Sequence, residues 1–466
     1  MQRRTITILG GGFSGSMLAV QLAQLPGGPY DWNVHLVEPR PLLGPGLAYT
    51  ARRPEYLLNV QSEFLSPFPD QPNHFVEWLQ ENHMAVCEDH FCPRQLYGRY
   101  LQEMVSAILP KPAANGMQFS WHPQAGVLAK VAPDGQSAQV RFSSGRELRS
   151  DMVVLALGNF PPIAPTGHGD QHLVHPRYHG NPWAPGALRD IGPQDSVLLI
   201  GSGLTAVDIL LGLRDDGHRA PIKVVSRHKR WPAAHVRADV SYPSFYEAEL
   251  AGLTTVVEVL RVVRKHVREA AEQGIDWRPV LDSLRPDTGK IWAAWPLQEQ
   301  KRFLRHLVSL WTVLRHRSPP QNATIVREMV GKGSVVMQAG RVKQIEERGD
   351  DLAVLVEKGQ TQEWLLARHV ISCTGPLLDY SIIADPLVKS MREEGYLVPD
   401  PLHLGILTDE NGALLNPKGE ASELFFTLGP SRRPAYFEST SVPELREQAV
   451  ALAQYLGQKM VIEHAH

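Results

Sequence analysis

Hydrophobic and polar positions fall into two stretches of the same order, separated by a third of different texture. The first stretch opens with Thr5-Ile6-Thr7-Ile8-Leu9, a β-branched run that reads as a strand. The glycine-rich turn Gly10-Gly11-Gly12-Phe13-Ser14-Gly15 follows, then an apolar helix over Ser16–Gln24 and a second β-rich run at Val34–Val37. Alternating segments at Met117–Trp121, Gly126–Val131 and Ala138–Phe142 predict a β-meander, and Met152–Leu157 predicts an apolar strand that closes at Gly158.

The second stretch repeats this order. Ser196–Ile200 reads as a strand, Gly201-Ser202-Gly203 as a tight turn, Leu204–Leu213 as a helix and Ile222–Val225 as the next strand. Val335–Gln338, Val342–Glu347 and Leu352–Val356 predict a second meander, before a strand His369–Cys373 that closes at Thr374-Gly375. From about Phe245 to Arg317 the period is helical instead, with Leu250–Val267, Trp277–Leu284 and Leu297–Arg317 as the candidates. Trp277, Trp292, Trp295 and Trp311 fall inside this region; they either pack helices together or line a substrate cavity, and the pattern leaves both open.

The two glycine turns carry the chemistry. Gly10 permits the tight turn, Gly12 lets a pyrophosphate approach the backbone, and Gly15 allows close helix–strand packing; Phe13 and Ser14 complete the motif at a helix N-terminus whose free N–H groups suit phosphates. Glu38, ending the next strand, is placed to accept hydrogen bonds from ribose hydroxyls, which fits FAD. The second turn, Gly201-Ser202-Gly203-Leu204-Thr205-Ala206, has the same form, but its following strand ends in Ser226-Arg227-His228-Lys229-Arg230. A carboxylate there would repel a 2′-phosphate, whereas Ser226 and Arg227 would bind it, so NADPH is expected over NADH. The small-residue turns at Gly158 and Gly375 and the strand end at Gly429 are counted with the FAD contacts. So is Glu438, which opens a Ser/Thr-rich run before Pro443 and a helix whose N-terminus suits an anionic reduced flavin.

The expected architecture is therefore α/β: two Rossmann-like dinucleotide-binding domains, for FAD and NADPH, each with a β-meander, plus a helical insertion. The expected boundaries are 1–165 for the first part of the FAD domain, 175–365 for the NADP domain with its insertion at about 245–318, and 366–466 for the second FAD part. The 466-residue length suits two or three domains. A net charge of −2 supplies no field for nucleic acid or anionic membrane, and no stretch is apolar enough to span a bilayer. Three cysteines, Cys87, Cys92 and Cys373, fit a reducing compartment, and the cytoplasm is expected. Cys87 and Cys92 lack the glycine-rich, helix-N-terminal setting of a reactive dithiol. No metal site is expected.

The runs GGGFSG, VEPR, GLAYT, YLLNV, FPDQPNHF, LYGRYL, KRFLRHLVSLWTVLRHRSP and TLGPSRRPAYFESTSVPELREQA together resemble the bacterial FAD/NAD(P)-binding proteins, across nearly the whole chain. That family is related to two-dinucleotide flavin monooxygenases, including N-hydroxylating ones. The resemblance implies an FAD enzyme reduced by NADPH, in which oxygen adds at the flavin C4a and passes to a small nucleophilic substrate, N-hydroxylation included. It also implies that Asn59, in Leu57-Leu58-Asn59-Val60, stands near flavin and nicotinamide as a candidate catalytic amide. The F-x-G-x-x-x-H fingerprint of ketone- and amine-oxidising relatives does not align with GHGDQHLVHPRYHGNPW, although His175 and Pro176 take a similar place. Two other outcomes stay open: a reductase feeding a quinone or other acceptor, and a nucleotide-binding sensor with little turnover. A homodimer is compatible with either.

Overall fold

The computed structural model describes residues 3–28, 30–50, 53–83, 91–109, 111, 113–165, 175–236 and 240–462. Cys87 and positions 167–174 of the aligned linker lie outside the described residues. In chain order the strands are β1 (Arg4–Leu9), β2 (Trp32–Val37), β3 (Gln118–His122), β4 (Gly126–Val131), β5 (Ala138–Phe142), β6 (Glu147–Ser150) and β7 (Met152–Leu155). There follow β8 (Tyr178–His179), β9 (Val197–Ile200), β10 (Ile222–Ser226), β11 (Val335–Ala339), β12 (Arg341–Arg348), β13 (Asp351–Lys358), β14 (Thr361–Ala367) and β15 (His369–Ser372). The last two are β16 (Ala413–Leu415) and β17 (Ala421–Thr427).

The chain divides into two compact units: unit 1 comprises Met1–Arg52, Val60–Phe160 and Leu378–His466, and unit 2 comprises Arg53–Asn59 and Pro161–Leu377. Unit 1 holds a six-stranded sheet in the order β16-β17-β7-β1-β2-β3, parallel except for the β16–β17 pair, and an antiparallel sheet β4-β5-β6. Unit 2 holds a parallel five-stranded sheet, β11-β10-β9-β15-β8, and an antiparallel sheet β12-β13-β14. The central orders β7-β1-β2-β3 and β15-β9-β10-β11 are the same, so the pattern repeat in the sequence is a repeat in space. Both are Rossmann-type units with a three-stranded meander.

Unit 2 shows why its strands read as unbroken apolar runs. Val197 and Leu199 of β9 and Val224 of β10 pack on one face with Ala206, Leu210 and Val326 of the covering helices. Leu198, Ile200 and Val225 pack on the other face with Val342, Leu352 and Val354 of the meander. Alternate side chains point to opposite faces and both faces are covered, so every position must be apolar.

Both meanders lie one strand later than the alternation predicts, for the same reason. Met117–Trp121 is not in the first meander: β3 pairs in parallel with β2 at the edge of the large sheet, and the third meander strand is β6. Val335–Gln338 likewise belongs to the parallel sheet as β11, and the third meander strand is β14. A half-buried edge strand alternates as a meander strand does, so period alone does not separate them.

The strand His369–Ser372 lies in the sheet of unit 2, and that unit runs on to Leu377 rather than ending at 365. In the helical region, Leu250–Val267 resolves into a π-turn at Tyr246–Leu250 and a helix Val256–Glu272 started by Thr255, whose Oγ1 accepts from the Glu258 N–H. Leu297–Arg317 breaks at Leu307 into the helices Leu297–His306 and Val308–Arg315. Trp292 and Trp295 are buried against Phe303, which makes them core. Trp277 is stacked under the guanidinium groups of Arg278 and Arg317. Among the described residues no helix is long and apolar enough to cross a membrane, and no group of His, Cys, Asp and Glu side chains is placed to hold a metal.

Candidate functional site

In unit 1 the glycine turn links β1 to the helix Phe13–Ala23. Gly10 adopts φ +113°, and a Cβ there would run into the carbonyl of Ala156, the residue after β7. A Cβ on Gly15 would strike the Gly10 carbonyl, so helix and strand touch backbone to backbone. Gly12 is the N-cap in extended conformation (φ −72°, ψ −165°), and no side chain caps the helix. The first-turn N–H groups, those of Phe13, Ser14 and Gly15, have no partners within the helix and suit anionic oxygens. Behind the turn, a Cβ on Gly429 would come within 2.9 Å of Ser14 Oγ. Gly429 is itself anchored: its N–H donates to Gln448 Oε1 (2.9 Å), its carbonyl accepts from Ser439 Oγ (2.6 Å), and Gln448 Nε2 donates to that hydroxyl (2.7 Å).

Glu38 sits at the end of β2 and is 2% exposed. Its Oε2 accepts from the Gly11 N–H and from Arg40 Nη2 (both 2.9 Å), and its Oε1 from Arg40 Nε (2.8 Å) and the Arg40 N–H (3.0 Å). Burial pushes this carboxyl up, but the Arg40 and Gly11 hydrogen bonds outweigh it and hold it below the usual range, ionised at neutral pH. The carboxylate is therefore preset in orientation. Arg40 was not singled out from the sequence, yet it is the cation that makes a buried Glu38 tolerable.

In unit 2 the second turn repeats the first almost bond for bond. The Gly10 N–H donates to Val37 O (2.9 Å) and the Gly201 N–H to Val225 O (2.8 Å); Ala156 N donates to Leu9 O and Cys373 N to Ile200 O, both at 2.8 Å. Gly201 has φ +109°, and a Cβ there would run into the Cys373 carbonyl. Gly203 caps the helix Leu204–Asp215 with φ −80°, ψ −169°, again without a side-chain cap, leaving the N–H groups of Leu204 and Thr205 in its first turn. Ala206 takes the place of Gly15 and is fully buried. By this register Ser226 stands where Glu38 stands. Ser226 Oγ accepts from the Lys229 N–H (3.0 Å), Lys229 turns left-handed (φ +52°), and Ser202 Oγ donates to Arg230 O (2.6 Å). The side chains of Arg227, Lys229 and Arg230 are exposed around that fold.

Four other sequence candidates are placed as follows. Gly158 and Gly375 occupy equivalent turns after β7 and β15, so Gly375, assigned with the FAD contacts from sequence, belongs to unit 2 beside the second glycine turn. Glu438 follows the short helix Arg433–Tyr436, is half-buried, and faces the Arg433 guanidinium electrostatically. The helix Val442–Ile462 begins where Ser441 Oγ donates to Glu444, a capping arrangement, and it packs on the helix Phe13–Ala23. Asn59 lies in the short segment Arg53–Asn59, which belongs to unit 2. Arg53 pairs there with Asp216, Tyr56 packs on Gly212, and the Asn59 carbonyl accepts from His235 Nε2 (3.0 Å).

Residues 7–160 match the family described as FAD-NAD(P)-binding. The segment contains the first glycine turn, Glu38, Arg40 and the strand ends that surround them, so the FAD-NAD(P)-binding match falls on the geometry of unit 1. No curated protein matches the chain. Among solved structures, the ornithine N-hydroxylase of Kutzneria sp. 744 is similar over 98% of this chain and 100% of its own, with TM-score 0.65 and 14% identity. The cadaverine monooxygenase of desferrioxamine biosynthesis from Erwinia amylovora is similar over 99% and 96%, with TM-score 0.68 and 12% identity. The bacillithiol disulfide reductase of Staphylococcus aureus is similar over 98% and 99%, with TM-score 0.55 and 12% identity. Hydroxylases and a disulfide reductase share this fold, so the fold does not choose the reaction.

Proposed function

We propose that the chain is an FAD-dependent, NADPH-reduced monooxygenase that oxygenates a small nucleophile, with a primary amine as the preferred class. The observation that carries this reading is the contrast at the two strand ends. One glycine turn faces a preset, buried carboxylate at Glu38 suited to free ribose hydroxyls. Its twin faces a hydroxyl and exposed cations at Ser226 and Arg227, suited to a phosphorylated ribose. When bound, FAD supplies the chemistry by accepting hydride from NADPH and activating oxygen.

The chain's own residues bind and orient. The Gly12-capped helix start and the Gly10 turn hold the FAD pyrophosphate, and Glu38 holds its ribose. Gly201, Gly203 and the N–H groups of Leu204 and Thr205 hold the second pyrophosphate, while Arg227 selects the 2′-phosphate. Asn59 is the candidate catalytic amide, its backbone fixed by His235. The substrate class follows the solved relatives, two of which are described as acting on ornithine and cadaverine. Dithiol chemistry has little support: Cys92 and Cys373 are both buried, Cys92 beside Ser62 Oγ (3.1 Å), and burial pushes the Cys373 thiol far up, away from a ready thiolate. The working compartment in this reading is the cytoplasm, where NADPH is available.

The test is anaerobic reduction by NADPH and by NADH, followed by oxygen in the presence of ornithine, lysine or cadaverine. Faster bleaching with NADPH and an N-hydroxylated product are expected. Peroxide as the sole product with every amine, thioether and ketone offered, or faster anaerobic transfer to a quinone, would remove the monooxygenase reading.

A further inference from the structure

Trp121 is a large aromatic residue of unit 1 left 41% exposed. It lies one residue before the end of β3, the edge strand of the unit 1 sheet. Its indole Nε1 donates to the backbone carbonyl of Glu38 (3.2 Å), the residue whose carboxylate is bound by Arg40 and Gly11. The strand pairing continues there, with the Glu38 N–H donating to His122 O (3.0 Å), so the ring is fixed beside the end of β2 rather than swinging free. Among the described residues no aromatic ring or cation stacks on it. The indole is oriented by one hydrogen bond and leaves its π-face available.

The sheet order supplies the direction. The pyrophosphate site is the turn after β1, and the ribose carboxylate is at the end of β2. A dinucleotide running from one to the other continues towards the end of the next strand, β3, and its base arrives where Trp121 stands. Resting on the reading of unit 1 as the FAD site, we propose that Trp121 is the stacking wall for the adenine ring. It selects an adenine-bearing flavin over a flavin mononucleotide. The same Glu38 residue then serves both ends of the nucleoside: its side chain faces the ribose, and its carbonyl orients the ring that receives the base. Stacking tolerates any base, so the preference for adenine over other bases is weak while the preference for a base over none is strong.

The test titrates the full chain, freed of flavin, with FAD, FMN and ADP, for the wild type, Trp121→Ala and Trp121→Phe. The Ala variant should bind FAD and ADP about tenfold or more weakly, with FMN unchanged. The Phe variant keeps a ring and should stay within about threefold of wild type. Quenching of tryptophan emission by ADP should shrink in both variants. The proposal is overturned if the Ala variant binds FAD and ADP like wild type, or if FMN weakens in parallel. It is also overturned if Phe loses as much as Ala, since the indole N–H would then be a structural anchor and not a stacking platform. The wild type binding ADP but not FAD would sink the flavin reading while leaving the adenine wall standing; binding neither would sink both.

Discussion

The two glycine turns have one backbone and two surroundings. In unit 1 the turn is covered from within its own unit: a Cβ on Gly12 would come 3.2 Å from Gly46 Cα, Ser14 and Gly15 are buried, and Gly429 with Ser439 and Gln448 is packed behind. In unit 2 a Cβ on Gly203 would meet nothing within 4 Å, and Leu204 and Thr205 are half-exposed. The same motif thus makes a lined socket in one place and an open shelf in the other. A resident cofactor gains from a socket, because its slow release follows from surface it shares with the protein. A cofactor that must leave after each turnover gains from a shelf. The proposed division, FAD in unit 1 and NADPH in unit 2, matches this difference in cover as well as the difference between Glu38 and Ser226.

A side chain at the first glycine of each turn separates the two sites most directly. Gly10→Val places a branched side chain against the Ala156 carbonyl at φ +113°, and Gly201→Val does the same against Cys373 at φ +109°. The expected outcomes differ. Gly10→Val should give protein without flavin, read by absorbance after gel filtration. Gly201→Val should keep its flavin and lose anaerobic reduction by NADPH by about a hundredfold, the scale of an ångström-sized misplacement. If both variants lost flavin equally, the two turns would not serve separate cofactors.

The next largest effect sharpens the choice of cofactor. Arg227→Ala should weaken NADPH by about 10- to 100-fold, the size of a charge-assisted hydrogen bond, while NADH changes little. Ser226→Glu places a carboxylate where unit 1 has Glu38 and should turn the preference towards NADH. Stopped-flow reduction with each nucleotide reads both variants. An unchanged ratio in Arg227→Ala would mean that Lys229 or Arg230 carries the selection, since both are exposed in the same folded-back loop.

A smaller effect belongs to the carboxylate itself. Its folded pKa lies below the ordinary value of 4.5, so the stability it adds is present at neutral pH and is lost as pH falls through the lowered value. Flavin release from the wild type should therefore steepen below about pH 4.5. Glu38→Gln should hold FAD more weakly at neutral pH and lose that acid limb. A full acid limb in the Gln variant would assign the transition to other groups.

Much of the difference between the two units is legible in the chain. Both glycine turns, the strands before them, Glu38 and Ser226 stand where spacing put them, because tight turns and helix starts are local and need particular residues. Long-range choices were not legible. Whether Met117–Trp121 joins a meander or a parallel edge depends on a partner, Trp32–Val37, some eighty residues earlier in the chain, and the same holds for β11 beside β10. Arg40 was visible only as part of VEPR, and nothing in that run says that it closes back on Glu38. Gln448 and Ser439 reach Gly429 from a helix and a loop that follow it, which no periodicity reports. In the sequence Trp121 is one more alternating strand residue; only the fold brings its indole onto the Glu38 carbonyl.

The smallest effect comes from a likeness away from the turns. Each unit joins neighbouring strands through a histidine pair: His35 Nδ1 and His122 Nε2 lie 2.9 Å apart across β2 and β3, and His179 Nε2 and His369 Nδ1 lie 3.0 Å apart across β8 and β15. Burial, then the facing histidine, lowers His35 and His179 to about 4 each. The unfolded chain therefore binds protons that the folded chain refuses, and stability falls as pH drops from about 6.5 towards 4. The pairs differ in their third neighbour. Arg146 adds to the repulsion at His35 and His122, whereas Asp195 Oδ2 lies 3.2 Å from His369 Nε2 and favours its charged form against burial. Unit 1 should consequently loosen before unit 2 on acidification. Amide exchange in β2 should accelerate at higher pH than in β15, and His35→Asn should flatten the acid loss more than His179→Gln. The gain is expected to be a few degrees of Tm at mildly acid pH, at about 2–4 °C for each kcal/mol. If β15 opened first, the carboxylate would be contributing nothing to the pair beside it, and the difference between the units would lie in their glycine turns alone.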